Sequence, residues 1–135
     1  MNKIYYKITD NKMESIFSYV GEGYPGVKYK LNKYVTGNKL LLDLGYGLSV
    51  FSSLDYVKMF YESFLSTDDI RLFECKIGKI FTNKVLYLPE RSISNIIAAH
   101  SIFIANNFYF SEFFEKWPEG TVLTNKIKLI KEFIL

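Results

Sequence analysis

The chain has 135 residues, 49% of them hydrophobic and 18% aromatic, which suits a single folded domain over residues 1–135 and excludes a disordered chain. The formal net charge of +3 excludes a strongly basic surface overall, although the first 39 residues hold seven lysines against three acidic residues. Because no apolar run is long enough to cross a bilayer and the N-terminus lacks the apolar stretch of a signal peptide, we expect a cytoplasmic protein that enters no membrane.

The first third of the chain predicts strands separated by turns. Lys3 to Thr9 alternates apolar and polar residues, which indicates a first strand. The glycine-rich stretch 21–26 predicts a loop, in which Pro25-Gly26 suits a type II turn. Val27 to Val35 alternates cleanly and predicts a half-exposed strand. Leu40 to Leu42 fits either a short strand or a loop.

The centre of the chain, Leu48 to Ile77, predicts a strand, a helix and a second strand. The apolar residues from Leu54 to Leu65 recur at helical spacing, and Ser52 or Ser53 can cap the free N–H groups of the first turn. Ile70 to Ile77 then alternates in the manner of a strand that is buried mainly on one face. We expect the face of the helix to pack on a sheet.

The last third predicts more strands and helices. Val85 to Leu88 suits a strand, Ser92 to Asn106 a strong amphipathic helix and Phe110 to Trp117 a second short helix. Val122 to Ile130 favours a strand, while the whole end, Val122 to Leu135, leaves strand and helix open. The predicted fold class is α+β, with one mostly antiparallel sheet of four to six strands and two or three packed helices.

A run that interleaves lysine with tyrosine is the strongest candidate for a binding surface. Loops and exposed strands on a rigid sheet commonly carry recognition, and lysines would attract an acidic partner. The same pattern is typical of a solvated edge strand whose lysines prevent sheet pairing, so both interpretations stay open. The predicted partner-binding residues are Tyr24, Lys28, Tyr29, Lys30, Lys33 and Tyr34.

Residues that often carry chemistry are few and scattered. His100 lies on the apolar face of its predicted helix, without a second histidine or a cysteine cluster to complete a metal or catalytic site. Cys75 lies within a predicted strand, and we expect a buried structural cysteine. The sequence therefore identifies no catalytic residue and predicts no metal site.

The order of elements from Leu48 to Ile77, with Phe51-Ser52-Ser53 ahead of a helix, resembles part of the ADP-ribosyltransferase fold. In that family a strand with a Ser-Thr-Ser type motif precedes such a helix, and a nicotinamide cofactor lies against a split sheet. The resemblance implies NAD as the cofactor, with Ser52 and Tyr6 beside it. The arginine or histidine of the family's first strand is replaced here by Tyr5, Tyr6 or Lys7. The overall composition also resembles that of small uncharacterised bacteriophage proteins.

The main functional prediction is a small non-catalytic interaction protein, of the kind of a phage accessory factor that binds and modulates a host protein or complex. Abundant aromatic residues, which can anchor an interface, and the lack of an assembled catalytic set favour it. The first alternative is an enzyme of ADP-ribosyltransferase type or a nicotinamide-dinucleotide-binding protein. The second is a nucleic-acid-binding module, because lysines beside tyrosines can contact phosphates and bases. The oligomeric state stays open.

Overall fold

A computed structural model describes residues 3–16, 27–43, 45, 47–62, 70–81 and 118–134, and these form one six-stranded antiparallel sheet. The sheet order is second, sixth, fourth, first, third and fifth strand. No helix of the described residues is long and apolar enough to cross a membrane. In chain order the elements are β1 (Tyr5–Asp10), β2 (Tyr34–Thr36), α1 (Lys39–Asp43), β3 (Leu48–Phe51), α2 (Leu54–Tyr61), β4 (Ile70–Ile77), β5 (Thr121–Thr124) and β6 (Lys126–Phe133).

The predicted α+β fold class, with two or three helices packed on the sheet, is wrong. The described chain is mostly strand, and α2 is the one helix that packs on the sheet, since α1 spans only five residues. The physical reason lies in the alternating aromatic and branched residues, which suit a pleated surface that is buried on both sides. The predicted elements Val85–Leu88, Ser92–Asn106 and Phe110–Trp117 lie outside the described residues.

Strand β4 lies between β1 and β6, and it has the bounds that the sequence predicts. Its register with β1 pairs Cys75 with Tyr5 and Leu72 with Ile8. Leu72 packs under α2, whereas Phe73 and Cys75 face the opposite core. Both faces of β4 are therefore covered, whereas its alternation predicts burial mainly on one face.

Strands β5 and β6 form one run of chain with a break at Asn125, yet β5 lies at one edge of the strand order and β6 second from the other edge. Beyond β4, the backbone N–H of Phe81 donates to the carbonyl of Leu123 (2.9 Å), and Ile80 bridges Thr124. Strand β5 thus pairs with β3 on one side and with residues 79–81 on the other. Gly78 allows the turn, because an added Cβ would collide with the side chain of Asn125.

Different segments of the chain pack on the two faces of the sheet. On one face α2 packs over Ile8, Phe51 and Leu72, and Val57 of the helix is fully buried. On the other face residues 27–29 lie over Phe73 and Leu129, and Tyr29 is only 1% exposed. The helix begins after Ser53 as predicted, although the Ser53 side chain makes no capping hydrogen bond.

Candidate functional site

A groove around Tyr34 has a volume of about 430 Å³. It lies where the start of β1, the end of β4, the start of β6 and strand β2 meet. Its lining combines tyrosine and isoleucine side chains with lysines. We call this feature the Tyr34 groove, and its lining residues are Lys3, Tyr5, Tyr34, Lys76, Ile77, Gly78, Ile80 and Lys128.

The register of β2 and β6 places two lysines beside one tyrosine ring. Lys128 lies directly opposite Tyr34 in the ladder, and Lys126 is two residues away and so on the same face. Their Nζ atoms lie 5.0 and 4.5 Å from the centre of the Tyr34 ring. Each such cation–π contact is worth about 0.5–1 kcal/mol at an exposed site. A third lysine, Lys3, lies 5.1 Å from the centre of the Tyr5 ring.

The charge of the Tyr34 groove is of one sign. Among its described lining residues are three lysines, and none is an aspartate or glutamate. The acidic residue that β6 does carry, Glu132, lies near the far end of that strand and forms a 2.7 Å ion pair with Arg71. The Tyr34 groove therefore combines aromatic side chains with positive charge that no carboxylate of its described lining neutralises.

Lys7 forms a second polar cluster, which lies inside the core and not in a groove. Its Nζ donates to the carbonyl oxygen of Ser49 (2.7 Å) and to Oγ of Ser15 (3.1 Å), and it lies 5.4 Å from the centre of the Tyr29 ring. Burial lowers the pKa of Lys7 to about 7, and burial raises the pKa of the nearby Cys75 thiol to about 12. Above neutral pH and well below pH 12, the cluster therefore pairs a mostly uncharged amine with an uncharged thiol.

An amine of lowered pKa close to serine hydroxyls is also the arrangement of serine–lysine catalysis. Here Lys7 Nζ lies 3.4 Å from Oγ of Ser49, but Lys7 is 2% exposed and Ser49 8%. The cavity beside them has a volume of about 10 Å³. That volume holds about one water molecule and no substrate. In the described part of the chain the Lys7 cluster is internal polar packing.

The two predicted cofactor residues lie close together, because Tyr6 of β1 pairs with Phe51, the last residue of β3, and Ser52 follows next in the chain. The Tyr6 ring packs edge-on against Phe133, with 5.9 Å between ring centres. The backbone N–H of Ser52 donates to the carbonyl of Gly120 (3.0 Å). Neither the Tyr34 groove nor the cavity beside Lys7 includes Tyr6 or Ser52 in its lining. Their role in binding NAD stays a prediction.

The predicted partner-binding residues divide into three groups. Lys28, Lys30 and Lys33 are exposed, and Tyr34 is 39% exposed and lies in the groove. Tyr29 points into the core, where it contributes packing and not contact area for a partner. The remaining residue, Tyr24, lies outside the described residues.

Two further predicted features have different outcomes. Cys75 is buried and unpaired with any other cysteine, which confirms the expected structural role. Histidine 100 lies outside the described residues. Within the part of the chain that the structure describes, no group of three or more histidine, cysteine or acidic side chains could hold a metal ion.

Comparison with known proteins returns no relative: no protein-family model, curated protein or solved structure matches the chain. The resemblances to ADP-ribosyltransferases and to bacteriophage proteins therefore stay predictions.

Sequence reasoning missed Lys76, Lys126 and Lys128 as site residues. The signal that could have found two of them is the alternation Lys126-Ile127-Lys128-Leu129, which places both lysines on one face of a strand and the apolar residues on the other.

Proposed function

We propose that the protein is a non-catalytic interaction protein that binds an anionic partner in the Tyr34 groove. The observation that carries the proposal is the presence of two lysine ammonium groups, those of Lys126 and Lys128, within 5.0 Å of the centre of one partly exposed tyrosine ring. A ring of this kind offers contact area at low entropic cost, and the lysines attract negative charge.

The side chains that line the groove favour binding over catalysis. The Tyr34 groove holds lysine, tyrosine and isoleucine side chains on a sheet, and its described lining lacks a histidine, a carboxylate, a cysteine or a serine. Acid–base and nucleophilic catalysis draw most often on those side chains. The ammonium groups of the groove lysines are reachable from solvent, in contrast to that of Lys7.

The test compares two pairs of lysine substitutions with the same change in net charge. One variant carries Lys76→Gln and Lys128→Gln in the Tyr34 groove; the control carries Lys12→Gln and Lys58→Gln, at exposed positions elsewhere. The measurement is the salt concentration at which each protein leaves an immobilised heparin column. We expect the groove variant to elute at clearly lower salt than the wild type, and the control to elute near it. Equal shifts of both variants would mean that retention follows net charge alone and would overturn the proposal.

A further inference from the structure

We infer that the anionic partner of the Tyr34 groove is single-stranded nucleic acid, with its phosphates at the lysines of the groove and a base on the Tyr34 ring. This inference rests on the proposed function and names the ligand class of the same site. Proteins that bind single strands combine a positive groove along the backbone with aromatic side chains on which bases stack. The Tyr34 groove has both parts.

The kind of positive residue distinguishes a phosphate ligand from an acidic protein surface. Among the described residues, the cationic side chains in and beside the groove are lysines: Lys3 just before β1, Lys76 near the end of β4, and Lys126 and Lys128 beside Tyr34. Arginine forms two-pronged bonds with carboxylates and phosphates alike, whereas lysine is depleted in protein–protein interfaces. Lysine is, in contrast, a common phosphate contact that is independent of sequence.

The arrangement of the lysines also fits an extended chain. Lys3 lies just before β1, Lys76 on β4 and Lys128 on β6, so three separate parts of the chain each contribute one charge to the same groove. Tyr34 and Ile80 in the lining are 39% and 45% exposed, which leaves apolar surface for a base. A single strand exposes flat bases and regularly spaced phosphates together, and it can satisfy both features.

The binding test uses a fluorescent oligothymidylate of about twelve nucleotides, a length within the range of known single-strand sites. Anisotropy gives the dissociation constant at two salt concentrations. With three to four phosphate contacts, the affinity should fall roughly 20- to 50-fold between about 50 mM and about 200 mM salt. A duplex of the same length should bind more weakly, because its bases are not free to stack on Tyr34.

Two tyrosine variants separate stacking from charge. Tyr34→Leu keeps an apolar side chain but removes the ring, and it should weaken oligothymidylate binding roughly fivefold to a hundredfold. Tyr34→Phe keeps the ring and should bind within about twofold of the wild type, since stacking needs the π-face and not the hydroxyl. Equal binding by Tyr34→Leu and the wild type would overturn the stacking assignment.

A parallel titration with poly-L-glutamate distinguishes failure of the inference from failure of the proposed function. If the Lys76→Gln, Lys128→Gln variant loses binding of the oligothymidylate and the Lys12→Gln, Lys58→Gln control keeps it, the inference and the proposed function are both supported. Groove-dependent binding of poly-L-glutamate without the oligothymidylate overturns the nucleic-acid inference and leaves the proposed function standing. Binding of neither polymer overturns both.

Discussion

Two lysine–tyrosine pairs in this protein have similar geometry and opposite surroundings. In the core, Lys7 lies 5.4 Å from the centre of the Tyr29 ring, which is 1% exposed. At the surface, Lys126 lies 4.5 Å from the centre of the Tyr34 ring, which is 39% exposed. The inner pair is surrounded by Ser15, Ser49 and apolar residues, whereas the outer pair faces solvent beside further lysines.

The comparison shows that burial, and not the contact itself, decides what a lysine does. In the core the charged form loses its hydration, so the pKa of Lys7 falls and the side chain acts as a hydrogen-bond donor within the packing. At the surface the lysine side chains are available to a ligand. The inner pair should therefore affect stability and the outer pair binding.

The largest expected change in stability is the difference between substitutions of the two tyrosines. Tyr29→Ala should lower the free energy of unfolding by about 3–5 kcal/mol, because it leaves a cavity between residues 27–29 and the sheet. Tyr34→Ala should lower it by about 1–2 kcal/mol, because that ring is partly exposed and its loss removes two exposed cation–π contacts but leaves no closed cavity. Urea denaturation of both variants measures the difference. Similar losses for the two would break the comparison.

The second prediction concerns pH. Between the folded pKa of Lys7, about 7, and its ordinary value of 10.5, the unfolded chain holds a proton that the folded chain does not. The contribution of this group to stability therefore rises with pH in that window and is constant below it, with a slope of about 1.4 kcal/mol per pH unit.

Lys7→Met isolates this effect, because methionine fills much of the same space without a titrating group. From about pH 7.5 to about pH 9.5, the wild type should gain about 2–3 kcal/mol of stability relative to the variant. Urea denaturation of both proteins at several pH values gives the difference between their free energies of unfolding. The titration of the other groups is common to both proteins and cancels in this difference. A constant difference across this range would show that Lys7 keeps its proton in the core.

A smaller effect is expected from the exposed ion pair of Arg71 and Glu132. The Arg71 guanidinium donates to both Glu132 oxygens, at 2.7 and 2.8 Å, and lowers the pKa of that carboxyl. Its stabilisation is present above the unfolded pKa of a glutamate and lost as the pH falls through the folded value. Glu132→Gln should cost about 0.2–1 kcal/mol at neutral pH and low salt, and less at high salt. A loss of several kcal/mol, unchanged by salt, would contradict this.

A similarly small change in stability is expected for the groove lysines. The Lys76→Gln, Lys128→Gln variant should unfold within about 1 kcal/mol of the wild type, because the one contact of known value that it removes is the exposed cation–π contact of Lys128 with the Tyr34 ring. Thermal melting with the Lys12→Gln, Lys58→Gln control checks it. A large destabilisation by the groove variant alone would give these lysines a structural role and remove the contrast with Lys7.

Local pattern predicted the strands better than the fold. Strand β4 has its predicted bounds, and the predicted strand Val122–Ile130 appears as β5 and β6. These segments alternate at period two, and such a signal depends only on neighbouring residues. Leucines 40–42 carry no such period, and the structure places them in α1, which neither expectation for them included.

Lys7 and the Tyr34 groove depended on tertiary contacts and could not be predicted in this way. The alternation of Lys3 to Thr9 suggests that Lys7 faces solvent, but residues 27–29 cover that face of β1. The groove draws its lysines from β6 and from the ends of β1 and β4, which lie far apart in the sequence. Only the register of the strands brings them to Tyr34.

A two-dimensional NMR titration with the oligothymidylate shows directly, through the backbone amide signals, whether the Tyr34 groove is the binding surface. The largest shifts should fall on Tyr34, Lys76, Gly78 and Lys128, with little change at Lys12 and Lys58, and they should disappear in the Lys76→Gln, Lys128→Gln variant. Shifts that spread evenly over exposed lysines, or that centre on Lys28 and Lys30 and leave the groove unchanged, would contradict it.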